Sequence, residues 1–295
     1  MGARDLGALL LLSALWGASF IFIRVAVPEL GPFVLVELRV GLAAVVLVLA
    51  AVALGRLQKL RGRWRQFVVL ASVNAAIPFT LISASELYLT ASLAAILNST
   101  TVMFTAIVAA VWMGDALTVR KIVGVVIGVV GVTVLVGWDP VDLDLAVVLS
   151  VGAMLAASLS YGLAAVYAKK TFAGSPPLTI AIGQQTAAAV LMLPLAAASL
   201  PAERPSAAAT ISVISLALLS TAVAYMLYYR LISNVGPTST STVTLLVPLF
   251  GLLFGVLLLD EPVGLGTLVG LVLILSSVTL ITGLGFGTKD KGRSA

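Results

Sequence analysis

The sequence predicts an all-α integral membrane protein of ten transmembrane helices, arranged as two inverted five-helix repeats. Three observations predict it. The chain is 61% hydrophobic and 10% charged over 295 residues, with a mean hydropathy of +1.18, too apolar to hide its surface inside a water-soluble fold of that size. Ten apolar windows occur, each near the roughly 20 residues a helix needs to cross the hydrocarbon layer. The pattern of the first five returns in the second five, and an odd number of spans turns the second copy upside down relative to the first.

The windows follow from apolar runs and their punctuation. The first covers 6–27 and stops before Pro28; the second, 33–54, follows Gly31-Pro32 and ends before a basic run from Arg56 to Arg65. The third (66–85), fourth (91–112) and fifth (120–137) lead to Asp139-Pro140. The sixth covers 146–168, and the seventh, 178–199, lies between Ser175-Pro176-Pro177 and the prolines Pro201 and Pro205. The eighth (208–229) ends before Gly236-Pro237, the ninth covers 239–258, and the tenth, 265–285, follows Asp260-Glu261-Pro262. The N-terminal run has no small-residue cleavage site before its end, so it reads as a retained span, and Leu6 stands where a myristoylation signal needs Ser or Thr.

The two copies align by residue. At an offset of 145, Trp16-Gly17 falls on Tyr161-Gly162, Arg24 on Lys169, Pro32 on Pro177 and Arg39 on Gln184. At 146, Asp115 falls on Glu261, Gly124 on Gly270 and Gly137 on Gly283. The expected units are residues 1–138, holding spans one to five, and residues 139–295, holding spans six to ten and a tail. Short connectors leave no room for a soluble domain. Inverted repeats of this kind place a binding site near the bilayer midplane and rock against each other around it. The expectation is a transporter of a small molecule.

Composition narrows the chemistry. With no Cys and no His, disulfides, thiolate or imidazole metal sites and histidine acid–base catalysis are excluded, and no metal or cofactor is expected. The net charge of +5 belongs to helix flanks and not to a nucleic-acid surface. Fourteen Lys and Arg lie on one set of connectors, against Arg24 and Arg204 on the other. The rich side is expected to be cytoplasmic. Both termini then face the cytoplasm of a cell whose inner membrane holds the protein, and Asp139, Asp142, Asp144 and Asp260-Glu261-Pro262 lie outside.

Two stretches add a resemblance. Leu15-Trp16-Gly17-Ala18-Ser19-Phe20, followed by Arg39, resembles the opening of the EamA repeat of the drug/metabolite transporter superfamily. The run from Ala91 to Thr101, continuing through Gly114-Asp115 to Gly124, is similar to that family's fourth and fifth helices, and Val247-Pro248-Leu249-Phe250, Asp260-Glu261 and Gly270 repeat it. The resemblance spans residues 6–285 and implies a ten-helix exporter of small metabolites, amino acids and drugs among its cargo, with a central cavity between the halves. Two departures stand out. Val102 replaces the proline kept at Pro248, so the fourth span should be straighter than the ninth, and Asp115 stands where the family has Glu.

Several residues are candidates for function. Arg39, about two turns inside a span, costs several kcal/mol without a partner or water, and its planar fork suits a carboxylate; a structural ion pair is the alternative. Gln184 sits at the matching depth. Glu37, the carboxylate within a span, is the candidate for proton coupling, and Glu86 is placed to pair with Arg39 or Arg24. Trp16, Ser19, Asn74, Asn98, Thr101, Tyr161, Tyr225 and Thr242 lie near the expected midplane and complete the candidate substrate-binding set. Gly124 and Gly128, with Gly266 and Gly270, make GxxxG spacings that brace helices or form a homodimer contact. An alternative class is a membrane-embedded lipid or glycosyl transferase that uses Asp142 and Asp144 to hold a metal on a diphosphate.

Overall fold

The first helix, α1 (Ala3–Ala53), runs for 51 residues and is interrupted once, at Gly31 with φ 68° and ψ 162°. Only glycine adopts that backbone conformation without strain. Pro28 and Pro32 flank the break, and Pro32 occupies the first position of the returning segment, where a missing N–H costs nothing. The expected connector around Gly31-Pro32 is therefore a single non-helical residue. A computed structural model describes residues 2–55, 62–138, 144–240 and 242–283, with the side chains of residues 229, 232, 233 and 236–239 outside that description.

The remaining described elements are helical. They are α2 (Trp64–Ala71), a wide π-helical turn π1 (Ser72–Ala76) and α3 (Ile77–Ser85), then α4 (Ala91–Asn98), α5 (Thr101–Met113), α6 (Val119–Gly137), α7 (Leu145–Thr171) and α8 (Pro177–Ala197). After these come α9 (Ala207–Ala217), a second wide turn π2 (Leu218–Val223), α10 (Ala224–Thr240), α11 (Val243–Leu259) and α12 (Leu265–Thr282). Among the described residues, eight helices are long and apolar enough to cross a membrane, and Val243–Leu259 is a shorter apolar helix. Leucine and valine at Leu49, Val111, Leu145, Leu149, Leu257 and Leu265 are exposed on the outside of the bundle. That surface needs a lipid solvent, and the chain is a multi-pass membrane protein.

Helix ends are capped by the residue types expected there. Thr90, Asp144 and Ser206 each accept a backbone N–H three residues on, from Leu93, Val147 and Ala209 at 3.2, 2.8 and 3.1 Å. Gly114 and Gly283 end α5 and α12 in the left-handed region at φ 73° and 76°. One expected connector is absent, because α10 continues through Gly236-Pro237 to Thr240 at the cost of a backbone hydrogen bond.

The fourth span is interrupted although it lacks the proline of its counterpart, and the ninth window, 239–258, is divided between α10 and α11 ahead of Pro248. The proline-bearing α11 is unbroken, whereas the proline-free fourth span stops at Asn98 and restarts at Thr101. The cause lies in the polar run Asn98-Ser99-Thr100-Thr101. Thr100 Oγ1 donates to the Leu97 carbonyl at 2.7 Å and Ser99 Oγ to the Ala95 carbonyl at 3.4 Å. The backbone there tightens to three-residue bonds, with Ser99 N to Ile96 O at 3.1 Å and Thr100 N to Leu97 O at 3.0 Å. Hydroxyls that compete for helical carbonyls interrupt this helix without a proline.

The glycine spacings brace one helix pair. A Cβ at Gly124 would lie 3.2 Å from the Ser277 carbonyl, one at Gly131 would lie 3.1 Å from Ile274 N, and one at Gly270 would lie 3.1 Å from the Gly131 carbonyl. The α6 and α12 backbones thus meet each other within one chain.

The two ends of the bundle are tied differently. At the Gly31 end, Glu29 accepts hydrogen bonds from Ser206 N at 2.6 Å and Ser206 Oγ at 2.7 Å, and Arg24 donates to the Glu86 carbonyl. At the opposite end, Arg63 donates to the Thr171 carbonyl and to Ser175 Oγ at 2.9 Å, and Asn234 donates to Asp5 at 3.1 Å.

Candidate functional site

The site is organised by the two wide turns. A π turn holds an extra residue, frees a carbonyl from the ordinary ladder and changes where the side chains beyond it point. In π1, Asn74 Nδ2 donates to Gln184 Oε1 of α8 at 2.8 Å. In π2, Thr221 Oγ1 accepts from Arg39 Nε of α1 at 3.2 Å. Arg39 and Gln184 are the pair that the sequence alignment of the halves put at matching depth. Each is held by the wide turn of the other half. Hydroxyls stitch the turns to their neighbours: Ser160 of α7 donates to the Val73 carbonyl in π1, and Ser220 of π2 donates to the Leu15 carbonyl in α1, both at 2.7 Å.

Arg39 is 7% exposed and its guanidinium carbon lies 3.7 Å from the centre of the Phe79 ring. Phe79 in turn meets Tyr161 edge-on at 6.3 Å, and the Tyr225 hydroxyl faces Gln184. Trp16 does not join Tyr161; it packs at a tilt against Tyr228, with ring centres 5.5 Å apart. No carboxylate among the described residues pairs with Arg39 within 4 Å. Glu86 pairs with neither Arg39 nor Arg24 among the described residues, and Arg24 binds the Glu86 backbone carbonyl and not its carboxyl group. The arginine is positioned by a hydroxyl and an aromatic face, and its charge is left without a counter-ion.

The other expected residues divide. Asn74, Tyr161, Gln184 and Tyr225 cluster around Arg39. The Asn98 Oδ1 and Thr101 Oγ1 atoms are buried without a hydrogen-bond partner among the described residues, as are both polar atoms of Gln185. Ser19 donates to the Trp16 carbonyl at 2.6 Å, so its hydroxyl is used within its own helix. Thr242 sits at the junction of α10 and α11, where its carbonyl accepts from Leu245 N at 3.1 Å. Glu37 is half-buried, with Oε2 unpartnered. Asp144 spends one oxygen capping α7, and Asp142 lies outside the described residues. The sequence reading missed Thr221, Phe79, Tyr228 and Glu261. Thr221 carried one visible signal, a Ser-Thr pair inside an otherwise apolar run.

A second cluster lies at the Gly31 end. The Glu261 carboxylate, 9% exposed, accepts from Ala91 N at 2.7 Å, Ser92 N at 2.9 Å and Ser92 Oγ at 2.5 Å. An acid from the α11–α12 turn thus caps the first turn of α4, where free amides and the helix dipole favour an anion. Gly255 makes room: a Cβ there would lie 2.2 Å from Ser92 Oγ and 2.3 Å from Glu261 Oε2. Beside them is Glu86, just past α3, at 0% exposure, with neither carboxyl oxygen hydrogen-bonded. Burial pushes the Glu86 carboxyl well above the usual carboxylate range, Arg24 and Arg39 oppose that rise, and Glu261 adds to it.

Comparison with known proteins assigns the family. The chain is 26% identical over 287 residues to YvbV of Bacillus subtilis (strain 168), described as an uncharacterized transporter, covering 95% of this chain and 90% of the relative. A transporter of Archaeoglobus fulgidus, described in the same way, is 22% identical over 269 residues, covering 90% and 94%. A solved crystal structure at 17% identity superposes with a TM-score of 0.66 over 95% of this chain and 96% of its own, which shows a shared fold. The model of the EamA-like transporter family matches twice, over residues 6–137 and 148–283. A doubled match that breaks between α6 and α7, around a polar centre inside a bundle of apolar helices, makes this chain a member of the EamA-like transporter family.

Proposed function

We propose that the protein is a secondary transporter that exports small metabolites, amino acids or related compounds among them, by alternating access through the polar centre around Arg39. The reading takes residues 1–138 and 139–295 as two inverted five-helix repeats, with Gly31 dividing the first two of ten spans. The observation that carries it is the crossed pair: Asn74 of π1 holds Gln184, and Thr221 of π2 holds Arg39. Close approaches repeat with the same symmetry. A Cβ at Gly17 would lie 2.9 Å from Gly251 N of α11, and one at the matching Gly162 would lie 2.9 Å from Thr105 N of α5. Two halves that grip each other by equivalent contacts have equivalent ways to exchange them.

Arg39 assigns the charge of the cargo. A buried guanidinium with no counter-ion is stabilised by an anionic group entering the cavity, and its fork is built for a carboxylate. The orphaned Asn98, Thr101 and Gln185 atoms supply hydrogen bonds to the polar remainder, and Phe79, Tyr161 and Trp16 supply apolar faces. The basic Arg63 end is cytoplasmic under the positive-inside rule, with both termini on that side of the inner membrane. The structure then corresponds to a conformation latched at its outer end by Glu261.

Purified protein screened for thermal stabilisation by amino acids, organic anions, amines and nucleosides tests the reading. The expected hits carry a carboxylate, and Arg39→Gln lowers their affinity and their proteoliposome flux by about 10- to 100-fold. Stabilisation by cationic amines alone, or unchanged affinity in a folded Arg39→Gln variant, refutes the assignment of Arg39.

A further inference from the structure

Glu86 is unlike every other carboxylate among the described residues. It alone is 0% exposed, its two oxygens lack any hydrogen-bond partner, and no cation among the described residues pairs with it within 4 Å. The charged groups it faces are Arg24 and Arg39 from α1 and Glu261 from the turn before α12. Arg24, one of the two cations that face it, has its guanidinium on the backbone carbonyl instead. An ionised carboxylate without donors is not accommodated by this packing; a carboxylic acid is.

Glu261 has the opposite surroundings, with three donors on its oxygens at the N-terminus of α4. Two buried acids at one end of the bundle thus differ in their donors: three reach Glu261 and none reaches Glu86. We propose that Glu86 is a proton-binding site through which acid on the side of the Gly31 end closes that end of the transporter. This deepens the alternating-access reading above and rests on it.

The step balances simply. When the Gly31 end is open, water reaches Glu86, and the Arg24 and Arg39 charges favour its carboxylate. Closure moves a proton from hydronium to one Glu86 carboxyl oxygen, forming an O–H bond and releasing water, while Glu261 settles on Ala91 and Ser92. Opening returns the proton to the same side. The closed form binds the proton more tightly than the open form. Its advantage is therefore full below the open-form pKa of Glu86 and is lost as pH rises through the closed-form value.

The absence of native cysteine makes the test clean. Ser83, one turn before Glu86 and 0% exposed, is replaced by Cys in otherwise native protein in proteoliposomes. Its labelling by a membrane-impermeant thiol reagent is normalised to an exposed Tyr88→Cys reporter, which removes the intrinsic pH dependence of the reagent. Normalised labelling should rise about tenfold or more between about pH 5 and about pH 9, and Glu86→Gln should leave it low and flat. Glu86→Asp, which still titrates, should restore a pH response and guards against a Gln variant that fails to fold. An undiminished response in Glu86→Gln overturns the assignment of Glu86 alone, provided Ser83→Cys and a Leu227→Cys reporter in α10 still change reciprocally with cargo. Labelling of both reporters that never changes with pH or cargo overturns the two-state reading, and this inference with it.

Discussion

The turns at Gly114-Asp115 and Asp260-Glu261 have the same backbone and different fates. Gly114 and Asp260 both end their helices in the left-handed region, at φ 73° and 51°. The next amide in each reaches back six residues, Asp115 N to Ala109 O at 3.3 Å and Glu261 N to Gly255 O at 3.1 Å. Yet Glu261 is docked on α4, while Asp115 is exposed. Two turns of matching backbone thus differ in engagement, one docked and one exposed. The sequence aligned these two acids but carried no indication of which would be engaged. Occupancy is a property of the conformation, and the sequence is common to all conformations.

The largest test removes the latch. Glu261→Ala leaves the first amides of α4 bare and should weaken closure of the Gly31 end by about 3 kcal/mol, on the order of a hundredfold in population. Spin labels at Leu87 and Val263, both exposed in the connectors of that end, read the change as a longer distance distribution. An unaltered distribution means that Glu261 is an incidental cap. Glu261→Asp gives this turn the shorter acid of its counterpart. It should cost about 1 to 2 kcal/mol in the same measurement if reach distinguishes the two turns, and nothing if the neighbourhood does. Asp115→Ala, acting on a free side chain, should change the melting temperature of this conformation by an amount equivalent to no more than about 0.5 kcal/mol. A loss several times larger shows that Asp115 already has a partner and removes the contrast.

Much of the fold was legible, because the apolar windows and their prolines are properties of length and composition. Gly31-Pro32 read as a corner, and Pro176-Pro177 as the start of α8, for reasons local to the chain. Arg39 and Gln184 read as a pair because a charge or an amide inside an apolar run is conspicuous at any depth. What escaped was decided by competition between nearby groups. The fourth span breaks at Ser99-Thr100 because hydroxyls win carbonyls from the ladder, an outcome that Pro248 in the repeat partner obscured. The wide turns at Ser72–Ala76 and Leu218–Val223 leave no compositional mark. Phe79 and Tyr228 looked like ordinary core aromatics, and only their neighbours make them part of the centre. Glu86 was noticed for its charge, but its isolation depends on Arg24 choosing a carbonyl, which no spacing foretells.

The two wide turns have one more consequence. In a regular helix each residue advances the azimuth by about 100°, so a turn that accommodates one extra residue offsets everything after it by that angle. Deleting a single residue from either Ser72–Ala76 or Leu218–Val223 would rewind the turn to an ordinary one and swing the rest of that rod, Phe79 in one case and Tyr225 and Tyr228 in the other, away from the centre. The interior chemistry of this protein is thus phased by an insertion in each half, and chain length inside those rods is under tighter constraint than the identity of most side chains along them.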